Sequence, residues 1–340
     1  MRRWMRAALW GVMLLLGAAM LGRALPAGFW SVVTPQRLLE TAVRLETGQR
    51  AATPAASAEP SPIAAPTAEP PAPSPSPEPS APDRTPDGTE ILPASFPGGL
   101  TLKNETDYAP DLAALLAEGP GLRLGAEEPQ VLIVHTHTSE AYTPSDGCRY
   151  EASDSMRTQD PNYSVIRVGD VLASKLEDAG LSVLHDRTVN DYPSYTGAYG
   201  RSGEAVRAAL ADHPSIRVVI DLHRDAMCAD DVVYKTAAAL PDGESCAQVM
   251  FVVGTDGTGL EHPDWRENLK LAVYLQDAVE TAHPTLTRPI WLVNERYNQH
   301  LCPGMLLIEV GSSGNTLPEA IRAAELLGGA MGDALMKLRE

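Results

Sequence analysis

From Val131 to Leu338 short apolar runs alternate with segments of helical period, and no other feature limits the fold of this chain so tightly. Residues 131–134, 181–184, 216–222, 248–253, 289–293 and 305–308 read as strands. Between the first two, Val165, Ile166, Val168, Val171, Leu172 and Leu176 recur at helical spacing, and Gly180 stops the pattern. Residues 203–212, 265–282 and 317–338 read as further helices. Strands alternating with helices over this length predict an α/β fold: a single twisted, mostly parallel sheet with helices on both faces. Sites in such folds collect at the carboxyl ends of the strands.

The polar residues at those ends form a pattern. Val134 is followed by His135-Thr136-His137-Thr138-Ser139-Glu140, Ile220 by Asp221-Leu222-His223-Arg224-Asp225, and Ile308 by Glu309. Three strands thus deliver His, Glu, His and Glu to one edge of the sheet. Zinc is commonly held by His nitrogens and a carboxylate, with a fourth position left for water. A second carboxylate beside that water can take its proton and assist attack on a carbonyl. His137, Glu140 and His223 are the candidate ligands, Glu309 the candidate base, and Arg224 a candidate for orienting a substrate carboxylate. The plain alternative for each is structural: hydrogen-bonded histidines and an ion-paired glutamate. The segments 157–160, 191–195 and 296–299 are polar or aromatic loops of lower specificity, open to groove lining or to ordinary packing. In 311–316, Asn315 or Thr316 caps the last helix and the glycines make the turn.

Charge and proline content describe the chain N-terminal to this region. The formal charge is −17. Residues 1–50 hold seven arginines against two acids, and residues 51–92 one arginine against six acids. Those two charges cancel, so the whole net charge is that of residues 93–340. A sequence-independent nucleic-acid binder needs a basic surface, which excludes that class. Twelve of the 29 prolines lie between Pro54 and Pro86. Residues 51–92 read as a disordered linker, too poor in apolar residues to offset chain entropy and biased to extended polyproline II. Residues 1–33 combine Arg2, Arg3 and Arg6 with two apolar stretches around Arg23, and read as a cytoplasmic N-terminus and membrane signal anchor. A cleaved signal peptide is the alternative; both export the chain beyond residue 33. Residues 34–50 form a juxtamembrane segment. Cys148, Cys228, Cys246 and Cys302 contain no CxxC pair, which gives no zinc-ribbon signal and permits up to two disulfides.

Several blocks resemble the stage II sporulation protein P family, cell-wall hydrolases of endospore formers. They are VLIVHTHTSEAY (131–142), HDRTVNDYPSY (185–195), YGRS (199–202), IDLHRDA (220–226), WRENLKLA (265–272), RYNQ (296–299) and LIEVGSSGNTL (307–317). They occur in the family's order, and the anchor and spacer fit as well. More remotely the family resembles zinc-dependent N-acetylmuramoyl-L-alanine amidases. The resemblance implies an amidase-like domain at 93–340 that uses zinc to cleave the bond between the muramyl lactyl group and the first L-alanine of the peptidoglycan stem peptide. Cross-link endopeptidase activity is also implied. So are action during engulfment, sporulation proteins D and M as partners, and a location across the cell membrane with the catalytic domain outside. The amidases carry one histidine after the first strand where this chain has two. His137 sits where their ligand falls, and His135 is the alternative. Their carboxylate ligand lies further along, which keeps Glu151 and Asp160 as alternatives to Glu140. A catalytically inactive peptidoglycan-binding or scaffold module is the competing reading.

Overall fold

The structure is a computed structural model and describes residues 84, 85, 88–229 and 232–340. The expected anchor, the juxtamembrane segment and most of the linker lie outside the described residues. Among the described residues no helix is long and apolar enough to cross a membrane.

In chain order the elements are β1 (Ile91–Ala94), β2 (Leu102–Asn104), α1 (Leu112–Glu118), β3 (Val131–Val134), α2 (Val165–Asp178), β4 (Val183–His185) and α3 (Ala198–Asp212). After these come β5 (Val218–Asp225), β6 (Cys228–Ala229), β7 (Val232–Thr236), β8 (Val249–Gly254), α4 (Trp265–Ala282), β9 (Ile290–Val293), β10 (Met305–Ser312) and α5 (Leu317–Met336). Seven strands form one sheet in the order β2-β9-β8-β10-β5-β3-β4. Every neighbouring pair is parallel except β10 with β8. The architecture is therefore α/β with a mostly parallel sheet, as the alternation predicts.

The period of two along each strand sorts the core into two faces. Val131 and Ile133 of β3, Val218, Ile220 and Leu222 of β5, and Leu306, Ile308 and Val310 of β10 pack in one cluster with α2, α4 and α5. Their strand neighbours Leu132, Val134, Val219 and Met305 pack on the other face with Val206 of α3. Helices therefore cover both faces. This parity decides which polar side chains can meet at the strand ends.

The folded part begins before residue 93, the expected boundary. Ile91 is buried, and β1 pairs in parallel with β7 in a separate small sheet. The helix expected from Gly203 starts at Ala198, after Gly197 in a left-handed conformation (φ 85°). Thr316 caps α5: its side chain accepts from the Glu319 N–H while the Glu319 side chain accepts in return, a capping box. The buried Asn315 instead bridges strands, accepting from the Thr236 and Ser312 N–H groups. All four cysteines are free thiols.

Candidate functional site

His223 and Glu309 are direct partners across the parallel β5–β10 pair. Neighbouring strands stand about 4.8 Å apart, so the two side chains leave the sheet side by side on the α3 face. The strand register shifts just beyond Glu309, where Gly311 takes φ 69°, a left-handed conformation that glycine supplies without strain. The bulge ends the regular β5–β10 ladder directly after this pair.

The chain turns after Val134, and the turn brings His137 and Glu140 over the same edge, with the Glu140 N–H donating to the His137 carbonyl (3.1 Å). The His137 and His223 rings lie edge to face with centroids 5.2 Å apart. Glu140 Oε2 is 3.5 Å from His223 Nδ1 and accepts from the Arg224 N–H at 3.1 Å. The structure thus brings together His137, Glu140, His223 and Glu309. It keeps Glu151 and Asp160 at the surface side of the loop, where the Glu151 carbonyl accepts from Thr158 and Asp160 turns back on Asn162.

His135 goes elsewhere. It continues the parity of Val131 and Ile133 onto the α2 face. There its Nδ1 meets the Leu222 carbonyl (2.9 Å) and its Nε2 meets His185 Nε2 (2.8 Å). His185 in turn lies 3.0 Å from Asp170.

Arg224 requires a correction. It shares the parity of Ile220 and Leu222, opposite to His223, and it is buried. Its guanidinium donates to the carbonyls of Ala141 (2.7 Å), Met156 (2.9 Å) and Asp225 (3.4 Å). The side chain therefore staples the Glu140 loop to β5 and has no free fork to offer a substrate carboxylate. The 296–299 cluster is likewise mostly structural. Asn298 donates to the Tyr199 carbonyl and Ser202 hydroxyl, and Gln299 exchanges hydrogen bonds with β8.

Several site residues were not singled out by the sequence. Asp221, two residues before His223 on the same face, is buried and accepts from the Thr136 N–H (2.8 Å) and hydroxyl (2.6 Å). Its Oδ1 is 3.0 Å from His223 Nε2, off the axis of a straight hydrogen bond. The i, i+2 spacing in IDLH was the available signal. Tyr195 shares a hydrogen bond with His137 Nε2 (3.0 Å), and its ring stacks on the imidazole at 4.4 Å. Buried Asp191 accepts from the Ser139 N–H and hydroxyl, fastening the 191–195 loop to the His137 turn.

Proton affinities follow from burial and neighbours. Burial pushes the Glu309 carboxyl up to about 8, with the Asp225 carboxylate adding to it and His223 opposing. Glu309 Oε2 is enclosed without a hydrogen-bond partner among the described residues. Burial holds His137 down to about 3. For Glu140 burial acts upward, but His223, Arg224 and His137 outweigh it and hold the carboxyl far below the usual range. For His223 burial acts downward, and the Asp221 and Glu140 carboxylates outweigh it.

Among the described residues no three His, Cys, Asp or Glu side chains are gathered closely enough to hold a metal ion as they stand. Pairwise, the spacing suits one. Two donors on a tetrahedral zinc, each at about 2.0–2.1 Å, stand roughly 3.3 Å apart, and two imidazoles so bound have ring centroids roughly 5 Å apart. The 3.5 Å between Glu140 Oε2 and His223 Nδ1, and the 5.2 Å between the His137 and His223 rings, are close to those values. His137 Nδ1 is also buried without a partner among the described residues.

A family profile described as Stage II sporulation protein P matches residues 79–332. The protein of that name from Bacillus subtilis (strain 168) is 32% identical over 207 residues, which is 57% of this chain and 48% of the relative. The chain thus spans about half the length of the curated relative it matches. Among solved structures, N-acetylmuramoyl-L-alanine amidase AmiC2 of Nostoc punctiforme aligns with a TM-score of 0.35 at 12% identity, covering 62% of this chain and 98% of that one. An N-acetylmuramoyl-L-alanine amidase from Clostridium difficile 630 aligns with a TM-score of 0.36 at 16% identity, covering 62% and 97%.

Proposed function

The chain belongs to the stage II sporulation protein P family, and on that footing we propose that it is a membrane-anchored peptidoglycan hydrolase of sporulation. Its reaction in this reading is zinc-dependent cleavage of the amide between the muramyl lactyl group and the first L-alanine of the stem peptide. The observation that carries the reading is the alignment of His223 with Glu309 across β5 and β10, with His137 and Glu140 folded over the same edge.

His137, Glu140 and His223 would hold the zinc ion, whose chemistry there is to activate water and polarise the scissile carbonyl. Glu309 does the proton work. A carboxylate beside the attacking water accepts its proton and returns it to the leaving amine. Burial raises the proton affinity of Glu309, which beside the charge of a bound zinc ion would stay ionised at neutral pH. Asp221 holds His223 from behind, as carboxylates commonly do for metal-binding histidines. Arg224 positions the Glu140 loop through backbone carbonyls. Residues 1–33 and the proline-rich linker are proposed to tether the domain outside the cell membrane, which supplies local concentration to an acidic domain facing an anionic wall. Sporulation proteins D and M are the proposed partners in engulfment.

The test is digestion of purified sacculi by the full-length chain, with mass spectrometry of the products. Free stem peptides beginning at L-alanine are expected, and they vanish in Glu309→Ala and His223→Ala. Cross-link cleavage products alone would move the assignment to endopeptidase. Release at parental rates by both variants would end the catalytic reading and leave a binding module, which one zinc per chain by metal analysis would independently argue against.

A further inference from the structure

One cation at the site has no part in this mechanism. Arg157 comes from the loop between β3 and α2 and lies beside Glu140, with which it forms an isolated backbone bridge. Its NH1 donates to Asp191 Oδ2 (2.8 Å) and to the Ser139 hydroxyl (3.1 Å). The guanidinium sits over the Tyr195 ring, 4.9 Å from its centroid, and that ring stacks on His137. Its NH2 is 3.7 Å from Glu140 Oε1, near enough for attraction and too far for a hydrogen bond.

The neighbouring arginines are each committed to partners within the fold. Arg224 is bound to three carbonyls. Arg201 clamps the carbonyls of Asn190, Ser194 and Thr196. Arg288 pairs with Asp225 at 2.7 Å. The hydrogen bonds that Arg157 makes to described residues run through NH1, and a fifth of its side chain stays accessible (20%). The rest of the strand-end edge is acidic, with Glu140, Asp221, Asp225 and Glu309. A substrate carboxylate beside the proposed metal position gains from a cation with donors to spare, and Arg157 NH2 makes no hydrogen bond to described residues. A guanidinium pinned along one edge and stacked on an aromatic ring presents its remaining donors as a pre-set fork, the geometry that carboxylates fit in two-point fashion.

We propose that Arg157, backed by Tyr195, is a specificity-determining residue that receives a carboxylate of the substrate's stem peptide beside the scissile amide. The inference rests on the peptidoglycan reading above and names the part of the substrate that this wall recognises. It differs from the role first expected of Arg224, whose fork is closed.

The experiment compares two soluble muropeptides, one with free stem-peptide carboxyls and one with those carboxyls amidated. Full-length protein and the variants Arg157→Ala and Arg157→Lys are each measured by steady-state kinetics and by equilibrium titration. Charge-assisted hydrogen bonds of this kind correspond to about 10- to 100-fold in affinity. The parent should prefer the free-acid peptide by that factor in KM and Kd. Arg157→Ala should lose the preference with kcat changed by no more than about 3-fold, and Arg157→Lys should recover part of it. Equal affinity of the parent for the two peptides overturns the proposal without any variant, so misfolding of Arg157→Ala cannot shelter it. Equal loss on both peptides in a folded Arg157→Ala, judged by thermal unfolding, also overturns it, because that is the signature of a merely structural ion pair. Carboxylate-dependent binding without any cleavage would sink the amidase reading and leave this inference standing.

Discussion

Each face of the sheet holds a pair of histidines beside the carboxyl end of β3, His135 with His185 and His137 with His223, and the pairs are built differently. On the α2 face both ring nitrogens of His135 have partners, the Leu222 carbonyl and His185, and His185 Nδ1 lies 3.0 Å from Asp170 without a formed hydrogen bond. On the α3 face His137 Nδ1, His223 Nε2 and Glu309 Oε2 all lie buried without a hydrogen-bond partner among the described residues. Unsatisfied buried polar atoms cost about 1–3 kcal/mol each, so a fold retains them where something else uses them. The contrast teaches that residue type does not separate a site from a scaffold here. Unused bonding capacity separates them by degree, with three such atoms on the α3 face against His185 Nδ1 in the α2 pair, and it assigns chemistry to the first and cohesion to the second.

The largest expected effect is on Glu309. Glu309→Gln removes the proton acceptor while keeping shape, and should lower kcat for stem-peptide release by about 10²- to 10⁴-fold. Its thermal stability should be unchanged or higher, because a buried carboxyl without a partner is gone. A variant that keeps full activity, or that loses stability in step with activity, would place Glu309 on the cohesive side of the comparison.

The sharpest division comes from the two histidines that are neighbours but one in sequence. His137→Gln should lose bound zinc, by atomic absorption after dialysis, and in the metal-free state should lose less stability than His135→Gln, because only its Nε2 contact and stacking with Tyr195 are removed. His135→Gln should keep the metal and lose about 1–3 kcal/mol in chemical denaturation, because its bonds to Leu222 and His185 are broken. The reverse outcome would exchange the roles of the two faces.

How far the sequence foretold this division depends on what each reading requires. The α4 helix has the expected ends, Trp265 and Ala282, because its apolar period is long and unbroken. His223 and Glu309 were legible because each follows a mostly apolar run, broken between Val218 and His223 by Asp221 alone, which places them toward the carboxyl ends of their strands. The inward placement of Arg224 is partly encoded in the sequence. Strand alternation alone puts it on the opposite side from His223. The choice between His135 and His137 was not settled that way: His135 keeps the parity of β3 one residue past its end, and the turn that follows carries His137 to the other face. Which face holds the site depends on the pairing of β5 with β10, a long-range register that no local pattern encodes. The β1–β7 pairing escaped notice for a related reason: a four-residue edge strand with two half-exposed positions has no period to read.

A pH series sharpens the same contrast at intermediate size. Glu309 has a folded-state affinity raised to about 8 from an ordinary glutamate value of 4.5, mainly by burial. Its contribution to stability is therefore fully present below pH 4.5 and is lost as pH rises through 8, because the folded chain holds a proton that the unfolded chain releases. With zinc removed by chelator, the parent should lose stability relative to Glu309→Gln across this window. Parallel curves from pH 5 to 9 would show that the carboxyl is not strained by its site.

The smallest effect tests the cohesive face by sign. Glycine inside a helix is normally worse than alanine by roughly 0.5–1 kcal/mol, so Gly→Ala at an open helical position stabilises. Gly200 in α3 is such a position, with nothing within 4 Å of where a Cβ would stand. At Gly169 in α2 a Cβ would meet both His135 Nε2 and His185 Nε2 at 2.8 Å. The two rings are held by Leu222 and lie beside Asp170, so neither can withdraw without breaking the pair. Crowding of a packed interior costs about 1–3 kcal/mol, more than the helical gain. Gly200→Ala should therefore raise the unfolding midpoint and Gly169→Ala should lower it, with zinc content and kcat per folded molecule near the parental values in both. If Gly169→Ala stabilised the protein as Gly200→Ala does, the His135–His185 pair would be loose enough to move. The α2 face would then have lost its claim to be the closed one.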